Sequence, residues 1–450
     1  MQSLGFLRTS TETQVPHEYQ NGLVFDIFED GRASTVKIQT ENINRFIGVP
    51  PEISIDLLMI ATAVYSADKK ILRKDHFDAW TRSISLNIPV SSELWHAAEK
   101  DLIDAISFLT SDNWSFDLRI ENSKWHGPRY EQIPKFSADA VVLFSGGIDS
   151  LVGTIDLLEQ GKRLILVSHF ESTADANVQQ KLKAILVDQY GSNQILHIRV
   201  NLGPKKENHT QAYPLPGPIE TTARSRSIIF LALGFAIASS VDSQTPLFVP
   251  ENGFISLNVP LTKARLGSCS TRTTHPYFIS TFLNAIRKVG VNNPVVNPYQ
   301  FTTKGEMLQN CLNKELLQKA IPLSLSCAHP TAGRWYHEEA GNCGYCYPCL
   351  IRRAAVHKVE WDKIDEYKHD ICRDERLIVD TNKGNDMRAV AISLSENRKL
   401  ANSALLPLLS GRIIESQLSD FADLYKRGLD ELNNLLIAEA SPQVRKILGI

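Results

Sequence analysis

The sequence predicts an α/β protein built on a doubly wound parallel sheet, with an N-terminal α+β region and a helical C-terminal tail. Three observations carry this. From Ala138 onward, short and almost wholly apolar runs alternate with helical patterns, as strands buried on both faces by crossover helices require. The first apolar run leads directly into a glycine pair that opens a helix. From about residue 303 the chain turns mostly helical, broken by a cysteine-rich loop at 327–349.

Taken in order, residues 1–135 mix short strands with helices. The runs at 22–28 and 35–40 predict a hairpin around Glu29-Asp30-Gly31. Ile53, Leu57, Ile60, Ala61 and Val64 fall at helical spacing, so a helix is expected over 53–67. Trp80, Trp95, Trp114 and Trp125 read as core, because no basic residues interleave with them. A linker at 121–140 leads into a unit spanning 136–360. There, strands are expected at 141–144, 163–170, 194–200 and 246–253, with helices at 149–159, 174–189, 221–240 and 275–288. The first helix stops at Gly161. Residues 361–450 form the helical tail, with amphipathic patterns at 386–406 and 415–437.

Composition narrows the function. The 48 basic and 50 acidic residues nearly cancel, which disfavours a generally basic nucleic-acid binder. Nucleic acid is therefore not expected as a direct substrate. No run reaches the ~18 apolar residues of a membrane span. The seven cysteines cluster rather than pair and the N-terminus has no apolar signal region, so a cytoplasmic protein is expected.

Two motifs carry chemistry. Ser145, Gly146, Gly147, Ile148, Asp149 and Ser150 stand between a predicted strand and a predicted helix. Two glycines there let the backbone approach an anion, and the amides of the helix N-terminus point at it. The serines add hydroxyl donors, and Asp149 is suited to hold Mg2+ on phosphates. The plain alternative is a tight turn capped by serine. It is not a Walker A loop, since no Lys-Ser/Thr pair follows the glycines. The second motif is Cys327 followed by Cys343, Cys346 and Cys349. Two-residue gaps let sulfurs on one knuckle face a single ion, and four of them describe a structural Zn2+ site. An iron–sulfur cluster is the alternative. Arg334, Arg352, Arg353 and Lys358 lie close enough in sequence to offset the site's negative charge. Cys269, Cys311 and Cys372 read as unpaired residues of no special role. Arg265, Arg272 and His275 fall in a loop after the fourth strand, where α/β sheets bind ligands, and an arginine fork there suits a carboxylate. Arg224 and Arg226, at the predicted start of the 221–240 helix, oppose its dipole and ask for an anion, a phosphate or Glu220.

The loop resembles the PP-loop of ATP pyrophosphatases, which cleave ATP between the α and β phosphates. That resemblance implies that Ser145, Gly146, Gly147, Asp149 and Ser150 bind pyrophosphate and its metal, and that adenine lies against Val167, Ser168, His169 and Phe170. The loop together with the distal cysteines is similar to the 7-cyano-7-deazaguanine synthase, or QueC, family over roughly residues 138–358. Ala223 to Ser227, Glu251-Asn252-Gly253, Lys304 to Met307 and Cys343 to Arg353 match its motifs in order. The altered stretch from Gly267 to Pro276 and the long Cys327–Cys343 gap depart from it. Asp149, Ser145 and Arg224 would then be catalytic. Arg226, Glu251, Asn252, Arg265, Arg272, His275 and Lys304 would bind substrate. The implied reaction adenylates the carboxylate of a 7-deazaguanine and passes the acyl group to an amine. The long architecture resembles the QueC-like proteins of anti-phage systems, the Qat type above all. For these the amine belongs to a partner protein. Nitrile synthesis from ammonia in queuosine biosynthesis, a tRNA thiolase, an amidotransferase and a non-catalytic scaffold are the competing readings. A homodimer is compatible with the sequence.

Overall fold

The computed structural model describes residues 2–9, 14–27, 33–39, 41–121, 135–262, 272–330, 339–397 and 403–450. The chain forms a mixed α/β architecture with two parallel sheets.

The first sheet contains β1 (Gln2–Thr9), β2 (Leu23–Ile27), β4 (Ser83–Val90) and β5 (Asn113–Ile120), in the order β2-β1-β4-β5. Every neighbouring pair in it is parallel. It is a parallel sheet rather than the α+β region expected, with α-helices on the connections from β2 to β4 and from β4 to β5, and the described part of the β1–β2 connection holding only the short 3-10 turn His17–Tyr19. After a short α1 (Glu41–Phe46), α2 (Glu52–Lys70) leads toward β4, and α3 (Leu94–Thr110) joins β4 to β5. The 53–67 expectation thus falls inside α2. Among the described residues the expected hairpin ladder is not formed, although the Thr35 amide donates to the Asp26 carbonyl at 3.0 Å; the expected turn at Glu29-Asp30-Gly31 lies outside the described residues. Thr35 stands just before β3 (Val36–Ile38), and its hydroxyl takes the Asp26 amide at 2.8 Å, a donor that a hairpin ladder would use. β3 pairs instead, antiparallel, with β9 (Leu202–Pro204). Trp95 and Trp114 are buried, as expected, and Trp80 partly so; Trp125 lies outside the described residues.

The second sheet has β6 (Ala140–Leu143), β7 (Leu164–His169), β8 (Ile195–Val200), β10 (Leu247–Phe248) and β11 (Val295–Val296). Its spatial order, β11-β10-β6-β7-β8, is parallel throughout. The chain starts in the middle, runs outward to β8, and returns to the other side of β6. This is the doubly wound pattern, and it places a crevice between β6 and β10 at their carboxyl ends. All four residues of β6 are buried, which accounts for its unbroken apolar run. The crossovers include α4 (Ile148–Glu159), α5 (Thr173–Tyr190), α6 (Arg226–Val241) and α8 (Pro276–Lys288), with short α7 (Gly253–Leu257) after β10. α6 begins five residues later than the expected 221, because Ser225, its N-cap, and Arg224 give their backbone amides to Asp68 at 2.8 and 2.7 Å. α2 packs on α6 and α3 on α8, so one continuous hydrophobic core runs under both sheets.

The rest is helical: α9 (Lys304–Asn310), α10 (Lys314–Ala320), α11 (Tyr347–Lys358), α12 (Glu375–Val379), α13 (Asn385–Asn397), α14 (Leu418–Glu439) and α15 (Pro442–Leu448). α14 buries Phe421, Leu424, Leu432 and Leu435 against α7 and α11. No described helix is long and apolar enough to cross a membrane.

Candidate functional site

The glycine loop occupies the crevice at the end of β6. Gly146 adopts φ +91°, a left-handed conformation that favours glycine. Its carbonyl accepts the Leu325 amide at 3.0 Å. The loop is thereby tied to the segment leading into the cysteines. Ser145 and Ser150 hydroxyls lie 3.3 Å apart, and Ser150 also donates to the Gly147 carbonyl at 3.0 Å. Gly147 caps α4 with no side chain, which leaves the helix N-terminus uncovered by its own cap.

Asp149, in the first turn of α4, is nearly buried. One carboxylate oxygen accepts the Asn252 side-chain amide at 2.6 Å and backbone amide at 3.1 Å. The other is paired with the Lys304 ammonium. Lys304 itself is only 7% exposed, so its pairing is screened little by solvent. Asn252 doubles as the N-cap of α7, accepting the Ile255 amide at 3.0 Å. Thr303 and Glu306 form a capping box that sets the start of α9 and so aims Lys304. Next to Asp149, Glu251 accepts a hydrogen bond from Thr274. Burial pushes its carboxyl up to about 7, and the charge of Asp149 adds to this against Thr274 and Lys304.

These groups meet in a cavity of about 740 Å³. Ser145, Gly147, Asp149, Ser150, Arg224, Glu251 and Lys304 line it, as the sequence motifs anticipated. Asn252 is fully buried beneath. Arg224 lies 4.8 Å above the Trp80 ring and donates to Ser111 at 3.2 Å. Burial, with Arg73 and Arg272 nearby, lowers it to about 10. Glu220, one suggested anion for the arginines, instead accepts Arg73 and Thr222 amides.

Other expected residues are placed elsewhere. Arg265, Cys269 and Arg334 lie outside the described residues. Ser168 is buried, bonded to the Phe144 carbonyl and 2.8 Å from His197. His169 is buried between α2 and α6, its Nε2 2.8 Å from the Leu202 carbonyl; burial, with Arg226, depresses it to about 4. Phe170 donates its amide to Val200. None of the three lines the cavity. Arg226 pairs with Glu171 at 3.5 Å rather than facing the cavity. Arg272 lies over the Phe108 ring and donates to the Phe108 carbonyl at 2.6 Å. His275 caps α8 through Nδ1 and lies 3.0 Å from the Ser410 hydroxyl. That role in capping, not ligand contact, explains it.

The cysteines do converge. Their sulfurs all lie within 4.8 Å of one another, with Cys327–Cys346 at 3.9 Å and Cys343–Cys349 at 3.8 Å. Four thiolates around zinc at ~2.3 Å would stand roughly 3.8 Å apart, so the set fits a metal ion such as zinc. Gly344 makes the knuckle turn at φ +86°, with the His369 carbonyl 2.0 Å from where a Cβ would stand. The expected cations do not offset the sulfurs. Arg353 pairs with Asp362 and Asp370, Arg352 bonds Ser324, and Lys358 pairs with Glu431. Backbone amides take that part instead: Ala328, His329, Cys343 and Cys346 each donate to a sulfur at 3.2–3.4 Å.

Sequence reading missed much of the cavity wall. Tyr345, Tyr347 and His329 come from the knuckle, and Asn382, Asn385 and Asp386 from the start of α13. Asp386 accepts the Tyr347 amide at 2.6 Å. The tyrosines within the cysteine motif were the available signal.

No protein-family model and no curated protein matches the chain. Among solved structures, a ketoreductase domain from the bacillaene assembly line is similar over 66% of this chain and 80% of its own length, at 10% identity. Its TM-score of 0.22 is too low to bear on fold or function.

Proposed function

We propose that the cavity binds ATP on a PP-loop formed by Ser145 to Ser150 and adenylates a carboxylate, that of a 7-deazaguanine. The observation that carries this is the convergence of an open helix N-terminus, two hydroxyls, Lys304 and Asp149 at the carboxyl end of the central strand. The loop amides and Lys304 would take the departing pyrophosphate. With Lys304 turned from Asp149 to the phosphates, the freed Asp149 carboxylate oxygen would be available to Mg2+, the phosphates supplying further oxygens. The ion would neutralise charge on the leaving group. The substrate oxygen bonds to the α-phosphorus as the α–β bridging bond breaks. An amine then attacks the acyl carbon, loses a proton and releases AMP.

Two features support an amine borne by a partner protein, within an anti-phage system of the Qat type. The sequence resembles the long QueC-like proteins of such systems. The cavity is also walled in part by residues from outside the resembling stretch, Asn382 to Asp386. The test incubates the protein with ATP, Mg2+ and 7-carboxy-7-deazaguanine, with and without its genomic neighbours. AMP and pyrophosphate that depend on the deazaguanine, and a neighbour gaining the acyl mass, are expected. ADP as product rejects the loop assignment. Free nitrile from ammonia with no protein adduct rejects the acceptor.

A further inference from the structure

A second cavity, of about 900 Å³, shares no lining residue with the first. It opens where β8 leads into β9, against α2 and β3. Lysines from three separate stretches converge on it: Lys37 on β3, Lys69 on α2, and Lys205 and Lys206 after β9. His209 adds a fifth nitrogen base. In a chain of net charge −2, such a concentration is a local arrangement and not a consequence of composition.

Among the described residues Glu171 is the only carboxylate lining this cavity, and it is engaged. Lys69 holds it at 2.8 Å and Arg226 at 3.5 Å. Burial pushes its carboxyl up, but these two cations outweigh it and hold the group down at about 2. Lys37 and Lys206 have no carboxylate within ion-pair distance among the described residues. Glu207, next to Lys206, is exposed and does not line the cavity. The remaining wall mixes Asn201, Asn208 and Thr210 with the apolar Leu202, Pro204 and Ile219. Tyr65 is 2% exposed, so it offers no face on which a base could stack.

We propose that this cavity is a binding site for a small polyphosphorylated molecule, separate from the glycine-loop site. Lysine binds phosphate as a point charge, without the planar fork that selects carboxylates. Several lysines around one hollow, with the single lining carboxylate among the described residues already paired, suit several phosphate groups on one compact ligand. The concave shape and the lack of a stacking face disfavour single-stranded nucleic acid. The inference does not depend on the adenylation reading.

Inorganic tripolyphosphate is the probe, titrated calorimetrically into the full-length protein at low and at physiological salt. Three variants accompany the wild type: Lys37→Gln with Lys206→Gln, Ser145→Ala, and Glu207→Gln as a surface control. Saturable binding is expected that weakens with salt. The lysine double variant should weaken it by roughly a hundredfold, about tenfold per charged contact. Ser145→Ala should leave that binding event unchanged, and Glu207→Gln, which removes a carboxylate beside Lys206, should not weaken it. Binding lost in Ser145→Ala but kept in the double variant places the anion at the glycine loop and overturns the proposal. So does no saturable binding at low salt. A polyglutamate peptide or a DNA 20-mer that binds through the same lysines more than tenfold tighter than tripolyphosphate overturns the ligand class. Both substitutions lie at partly or fully exposed side chains, so folding is not expected to confound the result.

Discussion

Replacing Glu431 tests whether the C-terminal helix builds the candidate site. Glu431 lies on α14, far in sequence from the glycine loop, and is 8% exposed. Its carboxylate accepts the Thr303 hydroxyl, the Gly305 amide at 3.2 Å and the Lys358 ammonium at 2.9 Å. Thr303 and Gly305 flank Lys304, whose ammonium pairs with Asp149. Glu431 thus positions the residue that faces the loop. Alanine would strand a buried amide, a buried hydroxyl and an ammonium, for a loss of about 3–5 kcal/mol. Glutamine keeps the shape but removes the charge and presents an NH2 group to a donor, for about 1.5–3 kcal/mol. Lys358→Met leaves the Thr303 and Gly305 bonds intact and should cost least, about 1 kcal/mol, since Lys358 is partly exposed. Guanidinium unfolding of the three variants should rank them in that order. If the cavity binds ATP as proposed, the glutamine variant, still folded, should raise the ATP concentration needed for half-maximal pyrophosphate release more than it lowers the maximal rate, because Lys304 would be displaced from its place beside the glycine loop. Equal midpoints for wild type and Glu431→Ala, or Lys358→Met as the most damaging change, would refute the reasoning.

Three other outcomes are expected. Purified protein should carry about one zinc per chain by elemental analysis. Cys346→Ser should lose it along with solubility, since such sites contribute on the order of 10 kcal/mol to local folding; an iron–sulfur chromophore would contradict this. Asp149→Ala should abolish Mg2+-dependent AMP formation, while Ser145→Ala should slow it by ~10²-fold or more, as for a lost preorganised donor. His169 and His275 are buried, and that burial lowers them to about 4 and about 3. With His197, which burial lowers to about 3, the unfolded chain binds three more protons than the fold near pH 5, and Glu251, held up at about 7 in the fold, offsets one; the net of two makes stability fall on acidification below pH ~6.5 by about 3 kcal/mol per pH unit near pH 5. An unfolding midpoint that is flat from pH 7 to 5 would count against neutral, buried imidazoles.

What the sequence disclosed, and what it hid, follows from the range of the interactions involved. The strand at 141–144, the loop after it and the cysteine spacing were legible because strand burial, turn chemistry and knuckle geometry are local. β3 was read as half of a hairpin because nothing local shows that the Asp26 amide goes to Thr35 or that β9, far along the chain, is its partner. Arg226, Arg272 and His275 carry chemistry that suits anions. Their partners are Glu171, the Phe108 carbonyl and Ser410, and only tertiary packing brings these within reach. Glu251, which lines the cavity, was offered by the family resemblance, whereas position in a loop after a strand was a poor guide to Arg272 and His275.

The cysteine knuckle and the glycine loop are best understood as one structural unit. Arg352, fully buried on α11, donates to the Ser324 hydroxyl at 2.6 Å and the Ile321 carbonyl at 2.8 Å. Asn342, beside Cys343, accepts the Ser326 amide at 3.1 Å. Leu325, held between these contacts, gives its amide to Gly146. A metal ion that fixes Cys327 and Cys343 therefore also fixes the ends of the segment that holds the glycine loop open. α13 presses on the same unit from the other side through Asp386 and the Tyr347 amide. A core of this size needs no metal staple, and the knuckle instead brings Ala328, His329 and Tyr345 to the cavity wall. The placement of the cysteines is accounted for if the knuckle sets the shape of the loop, and the C-terminal helices set the shape of the knuckle.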